Sequence, residues 1–293
     1  MRFLAVSYFF ISLCLSTTRA VAQVDVFPKH FGQVMLVRQL LNPAMANMEQ
    51  ATNLTFSNRF YTGAFRQIDN LYFIGNVNLN GKDSARNVSS IGLKFANEKA
   101  GEFVERPKYY VSYSFRTRLT DEYWLGLGID LGRAAYIFKG TDVSTSGSAS
   151  NWDGNVGFVF HSATFCLAGS ANQFFNSLIL PKDLYFRWRR FYTLYAEKAF
   201  HMGTSQLSLF AQNQFLPDQE DVLDIGANLT ISEHVVIGAN YWAERSISFL
   251  AGLKNISLDD HHFSLYMSYN LPASNQASTN IQSFEMSLYY QFR

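Results

Sequence analysis

From about residue 51 onward, apolar and polar side chains alternate one by one along the chain. In 283–292, Phe284, Met286, Leu288, Tyr290 and Phe292 share one face, opposed by Ser283, Glu285, Ser287, Tyr289 and Gln291. In 262–271, Phe263, Leu265, Met267, Tyr269 and Leu271 oppose His262, Ser264, Tyr266, Ser268 and Asn270. In 223–231, Leu223, Ile225, Ala227, Leu229 and Ile231 oppose Asp224, Gly226, Asn228 and Thr230. A helical period would scatter these sets around a cylinder, and only a period of two separates them. Weaker copies centre on Phe73, Tyr113 and Leu127.

The spacing predicts strands near 51–60, 70–79, 88–96, 108–117, 123–137, 152–160, 163–175, 190–200, 205–214, 222–231, 235–242, 246–254, 262–271 and 282–292. Their number is even, and each has about the length that crosses a bilayer obliquely. Connections from even to odd strands are brief (118–122, 161–162, 201–204 and 232–234 among them). Those from odd to even are mostly longer (61–69, 97–107, 138–151, 176–189), with 243–245 the exception. Short periplasmic turns and longer extracellular loops are the pattern of an outer-membrane barrel with both termini in the periplasm. Ser144–Asn151, rich in Ser and Gly, reads as the tip of one such outer loop.

Composition separates this reading from a soluble sandwich or a lipocalin-like barrel, which would also alternate. Charged residues make up 16% of the chain and aromatics another 16%, at a mean hydropathy of −0.05. The second face of the best strands is Ser, Asn, Gln, Gly and Tyr, with few of the Lys and Glu that solvate a soluble surface. A polar lumen with aromatic girdles at the strand ends accounts for both faces. A net charge of +1 supplies no field for nucleic acid.

The N-terminus reads as an address. Arg2 is followed by an apolar stretch, Phe3 to Leu15, too short to span a membrane as an ordinary helix, and then by Ala20-Val21-Ala22, an A-x-A cleavage site. The expected organisation is a signal peptide over 1–22, a periplasmic N-terminal segment or plug over 23–50, and the barrel over 51–293. Cys14 would leave with the signal peptide, so Cys166 would have no intramolecular partner. Within 23–50, the apolar run Val34 to Leu41 ends at Asn42-Pro43 and is too short to decide between helix and strand.

Little here suggests catalysis. Nucleophile-elbow, zincin and phosphate-loop motifs do not occur. Asp259-Asp260-His261-His262 falls at a predicted turn, where solvated charge is the simpler reading than a metal site. His161 beside Ser162 does not by spacing make a dyad. No catalytic residue, metal or cofactor is therefore assigned. Arg187-Trp188-Arg189-Arg190 is the densest basic patch, read either as a contact for lipopolysaccharide or an acidic partner, with Trp188 at the membrane interface, or as an ordinary basic girdle.

Several segments resemble the PorP/SprF family of Bacteroidetes outer-membrane proteins. Leu40-Leu41-Asn42-Pro43-Ala44 is similar to its opening Asn-Pro-Ala segment, and Ile91 to Gly101, with Gly92, Asn97, Lys99 and Gly101, to its glycine strand and following turn. Val236 to Tyr241, with Gly238 and Tyr241, is similar to a further strand, although Trp242 stands where Arg is usual. The ending around Glu285 and Phe292 resembles the family's terminus, with Phe284 replacing His and Arg293 following the final Phe. The resemblance implies a barrel of the type IX secretion system, whose partners would be outer-membrane lipid and lipopolysaccharide, the secretion apparatus and the C-terminal domain of a secreted adhesin. The competing expectation is a channel for small or hydrophobic solutes, disfavoured because few lumen positions are charged (Lys94, Arg116, Asp130, Asp224, Lys254, Glu285).

Overall fold

In the computed structural model of the chain, residues 34–46, 52–79, 86–140, 146–179, 186–217, 220–242, 246–272 and 282–292 are described. An N-terminal helix α1 (Val34–Leu41) and a 3-10 turn (Pro43–Met45) precede the sheet. The strands are β1 (Thr52–Tyr61), β2 (Asp69–Asn78), β3 (Asn87–Lys99), β4 (Val104–Arg118), β5 (Trp124–Phe138), β6 (Gly147–His161), β7 (Phe165–Asn172), β8 (Leu178–Ile179), β9 (Phe186–Arg187), β10 (Phe191–Met202), β11 (Ser205–Phe215), β12 (Val222–Ile231), β13 (Val235–Trp242), β14 (Ser246–Leu258), β15 (His261–Pro272) and β16 (Ser283–Phe292). All but β8 and β9 form a closed antiparallel barrel, which is therefore fourteen-stranded. It closes by pairing β1 with β16, from Thr52 opposite Phe292 to Tyr61 opposite Ser283. Among the described residues no helix is long and apolar enough to cross a membrane.

The two faces of the wall invert the soluble arrangement. On β16, Ser283, Glu285 and Ser287 are buried while Phe284, Met286 and Leu288 are exposed. The same holds on β4, where Ser112 and Ser114 lie inside and Tyr109, Val111 and Tyr113 outside. An apolar band faces outward because lipid is its solvent, and the pleat sends every alternate side chain inward.

The strand positions match the alternation one for one, with corrections at several ends. The predicted loop 97–107 shrinks to the turn 100–103, because β3 and β4 extend past the apolar belt, with Gly101 in the left-handed region. Gly147–Asn151, read as loop tip, belongs to β6 and pairs with β5 as far as Gly147 opposite Phe138. The predicted strand 163–175 ends at Asn172, where left-handed Gln173 and Asn176 turn the chain into the barrel. The run 255–261 narrows to a turn at 259–260 after an irregularity between Leu253 and Ile256. The expected signal peptide lies outside the described residues.

Candidate functional site

Residues 34–46 lie inside the barrel. Helix α1 presents Leu40 to a buried cluster with Tyr72, Ile74, Ile179 and Trp188, and Leu41 to one with Phe191, Leu216 and Val222. Asn42 then leaves helical space (φ −139°, ψ 108°), as a residue before proline must. The chain returns along the wall, with Ala44 packed among Val159, Tyr195 and Phe210, and Ala46 against Val88.

The Asn42 side chain satisfies three backbone groups at once. Its oxygen accepts from the Ala44 N–H at 2.9 Å, and its amide donates to the Phe158 and Gly169 carbonyls at 3.0 and 3.1 Å. That approach requires a bare wall. A Cβ on Gly157 would fall on the Asn42 amide, and one on Gly128 would fall on the Pro43–Ala44 peptide. Gly92 does the same job one layer back, leaving room for Asn76, whose amide exchanges two hydrogen bonds with Gln39 (2.7 and 2.9 Å).

The helix end leaves carbonyls without partners, and wall side chains supply them. Lys94 Nζ donates to the Gln39 carbonyl at 2.6 Å, a cation at a helix C-terminus, where the dipole favours it. Ser170 donates to the Leu41 carbonyl and Ser114 to that of Pro43, both at 2.7 Å. Arg38 pairs with Glu197 at 2.9 Å.

Around this segment the interior is more charged than the sequence suggested. Lys94 meets Asp130 at 2.9 Å with both side chains fully buried, and Ser112 and Asn155 also donate to that carboxylate. Lys108 meets Asp153 at 3.2 Å, and Arg106 meets Glu98 at 3.4 Å. Across the seam, Arg59 meets Glu285 at 3.5 Å. Glu98 and Arg106 went unrecognised because they fell in a predicted loop rather than on inward positions of longer strands. These charges are paired rather than displayed in an open ring.

Below the segment, toward the short turns, the lumen opens into a cavity of about 770 Å³. Its lining mixes polar side chains, among them Arg38, Arg116, Glu197, Asn228, Lys254 and His262, with apolar ones such as Val159, Phe165, Val236 and Leu250. At the opposite end the small ribbon β8–β9 folds inward, so that Trp188 is fully buried over Lys108, with Nζ 4.1 Å from the ring centroid. Trp188 thus cannot anchor at the membrane interface, because its ring serves the interior instead. Arg187 and Arg190 are exposed, Arg190 donating to the Phe174 carbonyl at 3.1 Å, and Arg189 is half-buried.

The structure brings Asn42, Pro43, Ala44 and Gly92 together at the inner segment and leaves the other family-motif positions apart. Asn97 and Lys99 end β3, Gly101 makes its turn, and Gly238 faces inward beside Asn228. Tyr241 and Phe292 face outward, and Glu285 lies in the seam pair. His161 meets Arg116 at 3.3 Å, His261 meets Tyr290 and His262 meets Ser257. Among the described residues no three His, Cys, Asp or Glu side chains gather as a metal site.

The family model described as "Type IX secretion system membrane protein PorP/SprF" matches residues 25–290. Among curated proteins none matches this chain. The fold is similar to the Ralstonia pickettii toluene transporter TbuX, with a TM-score of 0.55 and 12% identity over 88% of this chain and 93% of that one. It is also similar to the monoaromatic hydrocarbon channel CymD, with a TM-score of 0.56 and 9% identity over 93% and 94% of the two chains. Identities this low carry the barrel fold and nothing of its cargo.

Proposed function

Because the chain belongs to the PorP/SprF family of type IX secretion system membrane proteins, sits in the outer membrane and is a closed barrel, we propose that it serves export by holding a secreted adhesin through that protein's C-terminal domain. It carries out no chemistry of its own in this role. The observation that supports it is the gripped inner segment, with Asn42 bonded to both Phe158 and Gly169 and Lys94 bonded to the end of α1. A lumen crossed by buried hydrogen bonds and ion pairs suits a docking platform better than a passage for solutes. The cavity on the short-turn side sets the charged Arg38, Arg116, Glu197 and Lys254 among its apolar lining, whereas sites for apolar small molecules carry only a few polar groups.

The test combines two measurements on protein from native outer membranes. Cross-linking and co-purification should recover the C-terminal domain of an exported adhesin, and deleting the barrel should remove that adhesin from the cell surface. Planar-bilayer recordings of the purified barrel should show no steady conductance. Open-channel currents together with normal adhesin display would transfer the protein to the solute-channel reading.

A further inference from the structure

Among the described residues the longest stretch of wall strand with a neighbour on one side only lies at the long-loop end. Only six of the fifteen residues of β6, Val156–His161, pair with β7, because β7 leaves the wall after Asn172. The rest of β6 continues upward with β5 alone, as far as Gly147. Trp152 stands outward beside Arg133 in the neighbouring strand, the pair expected where a barrel leaves the hydrocarbon. Gly147–Asn151 therefore stand above the bilayer.

Which groups this edge offers follows from strand alternation, since the N–H and C=O of one residue point to the same neighbour. Phe174 donates to the Gly154 carbonyl at 2.9 Å and Ser177 to that of Trp152, which fixes the even-numbered residues as edge-facing. The Trp152 N–H is taken by the Asn151 side chain at 2.8 Å. Ser148 and Ser150 are the next even positions, both exposed, and among the described residues nothing bonds their main-chain groups. Sheet proteins blunt such edges with lysine, proline, bulges or a covering element. Gly147-Ser148-Ala149-Ser150-Asn151 has no charge and no proline, and its pairing to β5 runs without a bulge. The surroundings are cationic: Arg133 donates to Ser150 Oγ at 2.9 Å, Arg190 is held on Phe174, and Arg187 sits opposite Leu178, whose carbonyl Asn151 reaches.

We propose that the β6 edge at Ser148 and Ser150 is a strand-addition site, taking an extended, acidic segment of the exported protein that the barrel holds. The inference rests on the adhesin-holding reading above. Main-chain hydrogen bonds supply the affinity in this mode, and flanking side chains supply the selectivity, here the arginines. Ser148→Pro/Ser150→Pro removes both donors without touching the ladder to β5, whereas Ser148→Ala/Ser150→Ala keeps them.

The adhesin C-terminal domain recovered by the wild-type barrel is the probe. Losing two donors and their bonds should weaken its capture roughly ten- to thirty-fold, with the alanine pair at wild-type strength and heat-modifiable gel mobility retained in both. On the unmodified protein, bound probe should slow amide exchange at Ser148 and Ser150 and leave Ala149, already bonded to β5, unchanged. Capture that survives the proline pair with no change in exchange overturns the edge and leaves the adhesin reading standing. Failure of wild type to capture any such domain overturns both. Protection at the two serines without probe, in dimeric barrel, would assign the edge to a second copy instead. Protection by lipopolysaccharide alone would likewise overturn the proposal.

Discussion

On the flank formed by β2–β7 the inner wall carries glycines and full charges, Gly92, Gly128 and Gly157 beside Lys94, Lys108, Asp130 and Asp153. On the flank formed by β12–β15 the inward glycines, Gly226, Gly238 and Gly252, face neighbouring side chains of the wall, and short amides and hydroxyls close on one another or on a carboxylate. Asn240 donates to Asp224 at 3.1 Å, Ser248 bonds to Asn270, and Asn270 reaches Glu285 at 3.2 Å. The first flank bonds to residues 38–46, and the second satisfies its polar groups within the wall. A barrel that only has to be polar inside can be lined with serine and asparagine. One that has to grip a second segment needs bare backbone for close approach and charges strong enough to reach carbonyls across the lumen.

The sharpest break in this contrast is at Lys94. Lys94→Met leaves Asp130 buried without its cation and the Gln39 carbonyl without its donor. Removing one partner of a buried pair costs about 3–5 kcal/mol. On the other flank, Lys254 lines the cavity mouth, half-exposed and outside every described ion pair. Lys254→Met should move stability by no more than about 0.5 kcal/mol. Urea unfolding of the two variants in lipid vesicles measures the difference, and equal losses would dissolve the distinction between the flanks.

Next in size is steric exclusion. A side chain at position 128 must displace the Pro43–Ala44 peptide or strain the wall, and overpacking of this kind costs roughly 1–3 kcal/mol. Ala44 is 3% exposed, so in a Cys166→Ser background Ala44→Cys should resist a soluble maleimide. Adding Gly128→Leu should make it react, whereas Thr230→Leu, which projects into the cavity, should leave it silent. Asn42→Ala follows at about 1–2 kcal/mol, the cost of orphaning the Ala44 N–H together with two lost donations. It should speed the same labelling reaction less than Gly128→Leu does.

How much of this could be read in the chain follows the same division. The wall was legible because alternation is imposed residue by residue by lipid on one side, and the pairing of Phe284, Met286 and Leu288 against Glu285 and Ser287 needs no partner to be recognised. The gripped flank was visible only in part. Gly126, Gly128, Asp130 and Gly132 stood out as a polar face, yet a row of inward glycines marks a backbone approaching closely, and its partner, Asn42-Pro43-Ala44, lies some eighty residues away in sequence. The helix at Val34–Leu41 was undecidable because its end is stabilised by Lys94 and Ser170 from the wall rather than by local signals. Trp188 departs from its interfacial reading for a related reason. A tryptophan among arginines fits an interface by composition, and only the inward turn after Asn172 reveals that its ring covers Lys108. The free edge at Ser148 was hidden behind a composition that suits a loop equally well.

The smallest expected effect tests which interactions hold the segment. Arg38 and Glu197 form its one charged pair with the wall among the described residues other than at a backbone group, and the Arg38 side chain is 39% exposed. An ion pair in contact with water gains little, because solvent screens the attraction and two long side chains must be ordered, so it contributes at most about 1 kcal/mol. Arg38→Gln should therefore lower stability far less than Lys94→Met and leave Ala44→Cys protected. Its small loss should shrink further in high salt, since Debye screening acts on exposed pairs and hardly on Lys94–Asp130. Labelling of Ala44→Cys in Arg38→Gln as fast as in Gly128→Leu would mean that the segment hangs from its charge rather than from the Asn42, Gln39 and Lys94 contacts. The flank that matters would then be the one around β10, where Glu197 stands.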